Sequence, residues 1–341
     1  MRSNYFMGNQ RFEMHTGTVP VPAKKEVLVK VMSCGICGTD VHIYHGEPGS
    51  AEVVPPVVLG HEFSGIVEAA GEEVTLFKKG DHVAIDPNIY CGLCRSCRMG
   101  RKQNCEHLVA LGVNINGGFA EYAICPETQC FLVSDDIPFD VAAMTEPLAC
   151  VIHGTDRANI LPGQNVLVIG GGTIGQLMAQ MARLSGAGIV MLSEPIEARR
   201  RIGLAIGADY VLDPQDDLPG QIAACTSGAG ADIIIECVGT QPAVHQAIAC
   251  AGPGTTVLLF SVPRPNAEIS LPLFDVYKKE LKIIGSIINP DTHQRAINLI
   301  NSRKLRIAEL ITHSYGLEDL EQGIRMQMSS ESVKVVIHPQ E

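Results

Sequence analysis

The sequence feature that most constrains the fold of this chain is the turn at residues 170–175, which reads Gly-Gly-Gly-Thr-Ile-Gly. Its first, third and sixth positions give the spacing Gly-x-Gly-x-x-Gly. Glycines at these positions allow a tight turn and let a pyrophosphate approach the N-terminus of the following helix. The turn therefore predicts a dinucleotide site, with candidate cofactor-binding residues Gly170, Gly172, Thr173, Ile174 and Gly175.

The segments around the turn strengthen this prediction. Residues 166–169 have the character of a buried strand, residues 176–184 continue as a helix, and residues 189–192 form a second strand-like run. Glu194 follows Gly175 by 19 residues, where an acidic side chain can bind a ribose 2′-hydroxyl. The spacing Gly-x-Gly-x-x-Gly alone is weak evidence, but strand, turn, helix, strand and acid in this order make the hypothesis specific.

Apolar runs keep alternating with helix-length segments after this point. Four more predicted strands lie at residues 210–212, 232–236, 256–260 and 281–285. With the first two they predict a doubly wound sheet of six parallel strands, the Rossmann arrangement. One more helical run at residues 294–302 and a last strand at residues 333–337 lie outside this count, so we expect the tail to return to the first part of the chain.

The first 145 residues have a different character. Runs rich in β-branched residues at 26–32, 63–69 and 81–85 are separated by glycines, which predicts a Gly-punctuated antiparallel β region without a long helix. A chain of 341 residues favours about two domains. We expect a dinucleotide-binding domain at residues 149–289 and a discontinuous second domain at residues 1–148 and 290–341.

Four cysteines occur within a segment of 15 residues: Cys91, Cys94, Cys97 and Cys105. Thiolates on so short a lobe can wrap a tetrahedral zinc ion and leave no position open for a substrate. Free surface thiols would be oxidation liabilities, and iron–sulfur clusters use other spacings. The lobe therefore predicts a structural zinc site.

A second group of metal-ligand residue types spans residues 34–62. It combines Cys37 with Thr39, Asp40 and His42 on one segment, and adds His61 and Glu62 from a second: a thiol, a hydroxyl, two carboxylates and two imidazoles. Each alone would be an ordinary core or turn residue, but their clustering indicates a reaction centre.

Glu146 is a further candidate ligand because it stands in an apolar and small-residue run before Pro147. Burying its carboxylate costs several kcal/mol unless it is paired or metal-bound. It can equally be an acidic residue that stabilises a helix N-terminus.

The net charge of −11 disfavours nucleic acid and anionic lipid as partners. The N-terminal residues lack an apolar export signal, and no uninterrupted apolar run of 18 residues follows. We therefore expect a cytoplasmic protein whose partner is a small molecule, with no membrane partner.

Together these motifs resemble the zinc-dependent medium-chain alcohol dehydrogenases. The resemblance spans nearly the whole chain, and its motifs are Gly-Ile-Cys-Gly-Thr-Asp at 35–40, Gly-His-Glu at 60–62, the four cysteines, Glu-Pro-Leu at 146–148 and the glycine turn. It is closest to the polyol (sorbitol-type) and threonine dehydrogenase branch, because Gly38 follows Cys37 and Glu146-Pro147 replaces a ligand cysteine of alcohol-specific members. It implies an α/β protein with a Gly-rich, β-barrel-like (GroES-like) catalytic domain beside the Rossmann domain.

The resemblance also implies the roles of the clustered residues. Cys37, His61 and Glu146 would bind a catalytic zinc, with Glu62 as a fourth or exchanging ligand. Thr39 would supply the hydroxyl that takes the substrate proton. His42 would be the outer relay to solvent, and Asp40 would orient His61. Because hydride transfer to nicotinamide requires water to be excluded, we expect the site in the cleft between the domains.

The expected activity is oxidation of a secondary alcohol, a polyol or sugar alcohol, to the ketone with NAD, in a homotetramer. An NADP-dependent enzyme of the same family is an alternative, because Arg199, a candidate cofactor residue, and Arg200 lie near Ser193. Threonine- and aldose-type dehydrogenases and a non-catalytic zinc- and nucleotide-binding protein are further alternatives. Lys334 is a candidate for the pyrophosphate contact.

Overall fold

The computed structural model describes residues 1–49 and 51–341. It divides into two compact units, the first formed by Met1–Ala149 with Ile288–Glu341 and the second by Cys150–Ile287. No helix among these described residues is both long and apolar enough to cross a membrane.

The strands, in chain order, are β1 (Arg2–Gly8), β2 (Arg11–Thr16), β3 (Glu26–Gly35), β4 (Val57–Val58), β5 (Glu62–Ala70), β6 (His82–Ile85), β7 (Asn88–Ile89), β8 (Val109–Ala110), β9 (Tyr122–Pro126), β10 (Cys130–Leu132), β11 (Asn165–Ile169), β12 (Ile189–Ser193), β13 (Tyr210–Leu212), β14 (Ala231–Glu236), β15 (Ala251–Leu259), β16 (Lys282–Gly285), β17 (Ile311–Gly316) and β18 (Lys334–His338). The α-helices are α1 (Gly38–Tyr44), α2 (Arg95–Arg98), α3 (Phe139–Ala143), α4 (Thr145–Ala158), α5 (Thr173–Leu184), α6 (Glu197–Ile206), α7 (Leu218–Cys225), α8 (Gln241–Ala249), α9 (Leu273–Lys278), α10 (His293–Asn301) and α11 (Leu320–Gln327). Short 3₁₀ helices cover Lys102–Asn104, Glu127–Gln129, Ala308–Leu310 and Leu317–Asp319.

The first unit is organised around a mixed sheet with strand order β10-β6-β5-β3-β18-β17, to which β9 adds by pairing with β3. Strand β3 carries the alternating residues Val27, Val29 and Val31, all fully buried, because one face of the strand packs into the core. Strand β18 pairs antiparallel with β3 and parallel with β17. The last part of the chain is therefore built into the same sheet as its first strands.

The second unit is a parallel sheet with strand order β13-β12-β11-β14-β15-β16, so the prediction of six parallel strands is confirmed. Its central strands are apolar on both faces, as in β11 and β14, because helices cover both sides of such a sheet. The strand order reverses between β11 and β14. Ligands of doubly wound sheets bind at the carboxyl ends of the strands at such a reversal.

The sequence predicted one helical run after residue 285, and this was wrong, since α11 follows α10. Helix α11 is short and polar, and it is held by its tertiary contacts, because Leu320 and Ile324 are fully buried. The hairpin of β1 and β2 was also missed. Its two-residue turn, Asn9 and Gln10, has positive φ at both positions, and the asparagine was an available signal.

We expect Gly175→Ala to disrupt the turn between β11 and α5. A Cβ atom at Gly175 would lie 1.7 Å from the carbonyl oxygen of Gly170, and a backbone atom cannot move aside without displacing the turn. The predicted loss is about 2 kcal/mol or more in the free energy of unfolding, measured by denaturant titration.

Gly172→Ala is the matched control, because a Cβ atom there meets no atom within 4 Å and its φ is −72°. Equal stability losses in the two variants would show that the close approach of Gly175 to Gly170 does not shape this turn.

Candidate metal and cofactor sites

The pairing of β3 with β5 brings together two distant parts of the first candidate site. Gly35, the last residue of β3, pairs with Glu62, the first residue of β5. Cys37 therefore follows one strand and His61 precedes the other at the same end of the pair. The ligand atoms of Cys37, His61 and Glu62 all lie within 4.8 Å of one another.

Asp40 lies behind this group on the first turn of α1 and is fully buried. Its Oδ2 accepts a hydrogen bond of 2.8 Å from the backbone N–H of Cys37. Its Oδ1 lies 3.5 Å from Nδ1 of His61, and neither of these two atoms has a hydrogen-bond partner. Asp40 thus fixes the Cys37 segment and presents a negative charge to the His61 ring.

The electrostatics of this group favour a bound cation. Burial alone would lower the pKa of His61, but the charges of Asp40 and Cys37 outweigh it and raise that pKa well above its usual value. The same negative charge attracts a metal ion, whose binding displaces protons from its ligands. Sulfur, imidazole nitrogen and carboxylate oxygen are donors that suit zinc, so the residues fit such an ion.

Lys334 forms a buried ion pair with Glu62. The lysine is 2% exposed, and its Nζ donates to Glu62 Oε2 and, at 3.0 Å, to the carbonyl oxygen of Ile36. A Cβ atom at position 35 would lie 2.3 Å from Glu62 Oε2 and 2.8 Å from Lys334 Cε, so Gly35 provides the space for this pair. The sequence suggested Lys334 as a pyrophosphate contact, but the structure places its ammonium group against Glu62.

Glu146 lies in the first turn of α4 and is 6% exposed. Its Oε1 accepts a hydrogen bond of 3.4 Å from Asn289 Nδ2. Cys37, His61 and Glu62 form a group whose ligand atoms all lie within 4.8 Å of one another, and Glu146 is not part of that group. The structure thus places Glu146 as a buried carboxylate, and the neutral amide of Asn289 is one of its partners.

The candidate relay residues Thr39 and His42 both lie on α1, three residues apart, and so on one face of the helix. Thr39 is half-buried. Nδ1 of His42 contacts Glu47 Oε2, and the His42 side chain is 29% exposed. The helix therefore carries a hydroxyl close to Cys37 in sequence and an imidazole that reaches solvent.

The four sulfur atoms of Cys91, Cys94, Cys97 and Cys105 lie within 4.8 Å of one another. The Sγ atoms of Cys91 and Cys97 are 4.0 Å apart, close to the edge of about 3.8 Å in a tetrahedron with zinc–sulfur bonds of about 2.3 Å. Backbone N–H groups donate to the sulfurs, and those of Cys97 and Glu106 lower the pKa of Cys94 to about 6. The lobe is thus arranged to hold thiolates around one ion.

In the second unit, the glycine turn leads directly from β11 into α5. Gly170 has a φ of +99°, which favours glycine. The Glu194 carboxylate at the end of β12 accepts hydrogen bonds from the backbone N–H groups of Gly171 at 2.6 Å and Ile196 at 2.9 Å. The Glu194 carboxylate is thus hydrogen-bonded to the glycine turn.

Two side chains near this turn have partners that the sequence did not indicate. Gln176 is fully buried, and its Nε2 donates to the carbonyl oxygens of Gly171 and Arg199. It therefore ties the turn to α6. Arg200 donates to the carbonyl oxygen of Glu194 and lies 2.9 Å from an oxygen of Asp213, so its charge is already paired.

Comparison with known proteins agrees with this arrangement. Residues 23–135 match the family described as alcohol dehydrogenase GroES-like domain, and residues 173–302 match the family described as zinc-binding dehydrogenase. The chain is 35% identical to an L-threonine 3-dehydrogenase of Symbiobacterium thermophilum, over 94% of this chain and 93% of that protein. It is 34% identical to a sorbitol dehydrogenase of Halalkalibacterium halodurans, over 97% of each.

A solved structure of a protein described as a zinc-binding dehydrogenase from Sinorhizobium meliloti 1021, bound to NADP, superposes with a TM-score of 0.95 at 36% identity and covers 99% of each chain. The expected fold class, a GroES-like domain with a Rossmann domain, is confirmed. The sequence matches and the fold of each unit agree, and the chain belongs to the family of zinc-dependent medium-chain alcohol dehydrogenases.

Proposed function

We propose that this enzyme oxidises a secondary alcohol, a polyol or sugar alcohol, to the corresponding ketone with NAD. The observation that carries the proposal is the grouping of Cys37, His61 and Glu62 beside the buried Asp40. Relatives named sorbitol dehydrogenase and D-xylulose reductase A support a polyol substrate. Relatives named L-threonine 3-dehydrogenase make an amino alcohol the second candidate.

We assign the two units of the fold to two functions, the zinc-binding catalytic domain to the first and the dinucleotide-binding domain to the second. In the first, Cys37, His61 and Glu146 would hold a catalytic zinc. Glu62 would be a fourth or exchanging ligand, and its charge is offset by Lys334. A zinc ion bound there supplies a Lewis acid that lowers the pKa of an alcohol.

The proton path follows α1. The Thr39 hydroxyl would accept the proton of the substrate hydroxyl and pass its own proton to His42, which would release one to solvent. A bound NAD would supply the nicotinamide ring that accepts the hydride of the adjacent carbon. Asp40 keeps His61 in the orientation that presents its free nitrogen to the metal. The Thr39–His42 spacing on one helix face suits such a relay.

NAD is the proposed cofactor. A 2′-phosphate would meet the carboxylate of Glu194, whereas a free ribose hydroxyl can donate to it. The nearby cation Arg200 is already paired with Asp213. NADP remains the second candidate, because the 36% identical relative was crystallised with NADP; the proposed cofactor residues are Gly170, Gly172, Thr173, Ile174, Gly175, Glu194 and Arg199.

We propose a structural zinc in the four-cysteine lobe, a homotetrameric assembly and a cytoplasmic location. Leu273, Phe274 and Tyr277 on α9 are 76%, 70% and 79% exposed beside the edge strand β16, and a subunit contact would cover such an apolar surface. None of the twelve cysteines, all of which lie among the described residues, forms a disulfide bond, which fits a reducing compartment.

A panel of polyols, simple secondary alcohols and L-threonine, each with NAD and with NADP, tests the substrate and cofactor together. We expect a polyol with NAD to give the highest kcat/KM, measured from the absorbance of reduced nicotinamide.

Glu194→Gln should reduce the ratio of kcat/KM with NAD to kcat/KM with NADP by about tenfold or more, because it removes the charge that repels a 2′-phosphate. A wild-type enzyme that prefers NADP would contradict the cofactor assignment, and a preference for L-threonine would contradict the substrate.

Substitutions on α1 distinguish the contributions of Thr39 and His42 to kcat. Thr39→Ala should lower kcat by about 100-fold or more, since the hydroxyl touches the substrate, whereas His42→Ala should cost only about tenfold. The His42 loss should shrink as pH rises, because hydroxide then replaces the outer relay. Thr39→Ser, which keeps the hydroxyl, is the control. A Thr39→Ala enzyme with normal rates would show that the proton leaves by another route.

The four-cysteine lobe should be structural. Cys105→Ser should lower the zinc content by about one ion per chain and lower the melting temperature, because three thiolates hold the ion less tightly. The control is Cys225→Ser, a free thiol at the end of α7, which should keep both zinc ions. Loss of one zinc with unchanged melting behaviour and assembly would contradict a structural role.

A further inference from the structure

The segment that returns the chain to the first unit crosses a buried polar network. Asn289, Thr292 and His293 are 0%, 4% and 1% exposed. Thr292 Oγ1 donates to the carbonyl oxygen of Ala149 at 2.7 Å, which ties the start of α10 to α4. Burying a polar side chain costs free energy unless its hydrogen bonds are satisfied. The partners of each group therefore indicate how the amide and the imidazole in this network are oriented.

Both the nitrogen and the oxygen of the Asn289 side-chain amide form hydrogen bonds. Its Nδ2 contacts Glu146 Oε1 at 3.4 Å and His293 Nδ1 at 3.1 Å. Its Oδ1 accepts a hydrogen bond of 2.7 Å from Asn88 Nδ2. Each hydrogen of the NH₂ group thus has one acceptor, and the amide oxygen has one donor.

Only one orientation of this amide is consistent with its neighbours. An ionised carboxylate can only accept, so the NH₂ group of Asn289 must face Glu146. The same group faces Nδ1 of His293, which therefore carries no proton. The His293 proton is then on Nε2, which lies 3.1 Å from the carbonyl oxygen of Ile85, an acceptor. Burial also lowers the pKa of His293, in agreement with a neutral ring.

The carboxylates of Glu62 and Glu146 contact different kinds of group. Glu62 is paired with the buried cation of Lys334, whereas Asn289 contacts Glu146 through a neutral amide. A neutral donor fixes the direction of a carboxylate and leaves its charge, while a cation offsets that charge. Through this contact Asn289 can orient the Glu146 carboxylate without itself placing a charge beside it.

We propose that Asn289 is a positioning residue of the catalytic metal site, which orients the carboxylate of Glu146 and is itself fixed by Asn88 and His293. The inference rests on the proposed function in one respect, the role of Glu146 as a zinc ligand. It identifies a contribution to the site from a residue 143 positions away from Glu146 in the sequence.

Zinc affinity of the holoenzyme tests this proposal. Asn289→Leu removes the amide at similar volume and should weaken zinc binding at one of the two sites by about 10- to 100-fold, measured by competition with a chelator. Asn298→Leu is the matched control, since Asn298 lies exposed on α10 and the hydrogen bond described for its side chain is with Gln294; this variant should bind zinc normally. If Asn289→Leu does not fold, Asn289→Ser takes its place.

A double-mutant cycle with Glu146→Gln tests whether the loss of zinc affinity in Asn289→Leu acts through Glu146. If Asn289 acts through Glu146, Asn289→Leu should cause no further loss of zinc affinity in the Glu146→Gln background. Unchanged affinity in Asn289→Leu, or an equal loss in both backgrounds, would overturn the positioning role while Glu146 stays a ligand. A Glu146→Gln enzyme with normal zinc affinity would instead overturn the ligand assignment, and this inference with it.

Discussion

The candidate reaction centre depends on the register of one pair of strands. Because Gly35 of β3 lies opposite Glu62 of β5, the residues just beyond these strand ends, Cys37 and His61, come within reach of one ion. A shift of one residue would turn the side chains of β5 to the opposite face. Gly35 reinforces the register, since any side chain there would collide with Glu62. The register of the sheet thus sets the backbone positions of the candidate ligands, independently of their side-chain rotamers.

The parts of the molecule that the sequence predicted are those encoded by contiguous residues. The glycine turn, its strands and the four-cysteine lobe each lie within a short segment, so spacing alone indicates their geometry. The alternation of apolar runs was sufficient to predict the parallel sheet. In the same way, Cys37, Thr39 and Asp40 lie within four residues of one another, and their proximity in the fold follows from their proximity in the chain.

The parts that the sequence could not reveal are contacts between distant residues. Lys334 and Glu62 are 272 positions apart, and the only local signal was a lysine within the apolar run of β18. Asn289 gave no such signal, because its role depends on the burial of Glu146 and Asn88. Helix α11 was missed for a related reason, since its polar sequence is stabilised by packing and not by its own helical propensity.

The discontinuity of the first unit also imposes an order on biosynthesis. A ribosome that has translated residues 1–287 has delivered every strand of the parallel sheet, yet Glu62 still lacks Lys334, and β3 lacks its neighbour β18. Domains fold as their residues emerge, so the second unit can be complete while the first remains open. All four cysteines at residues 91–105 have been translated by then, so the proposed structural zinc would have its full set of ligands, whereas the proposed centre at Cys37 and His61 would still lack the pairing of Glu62 with Lys334.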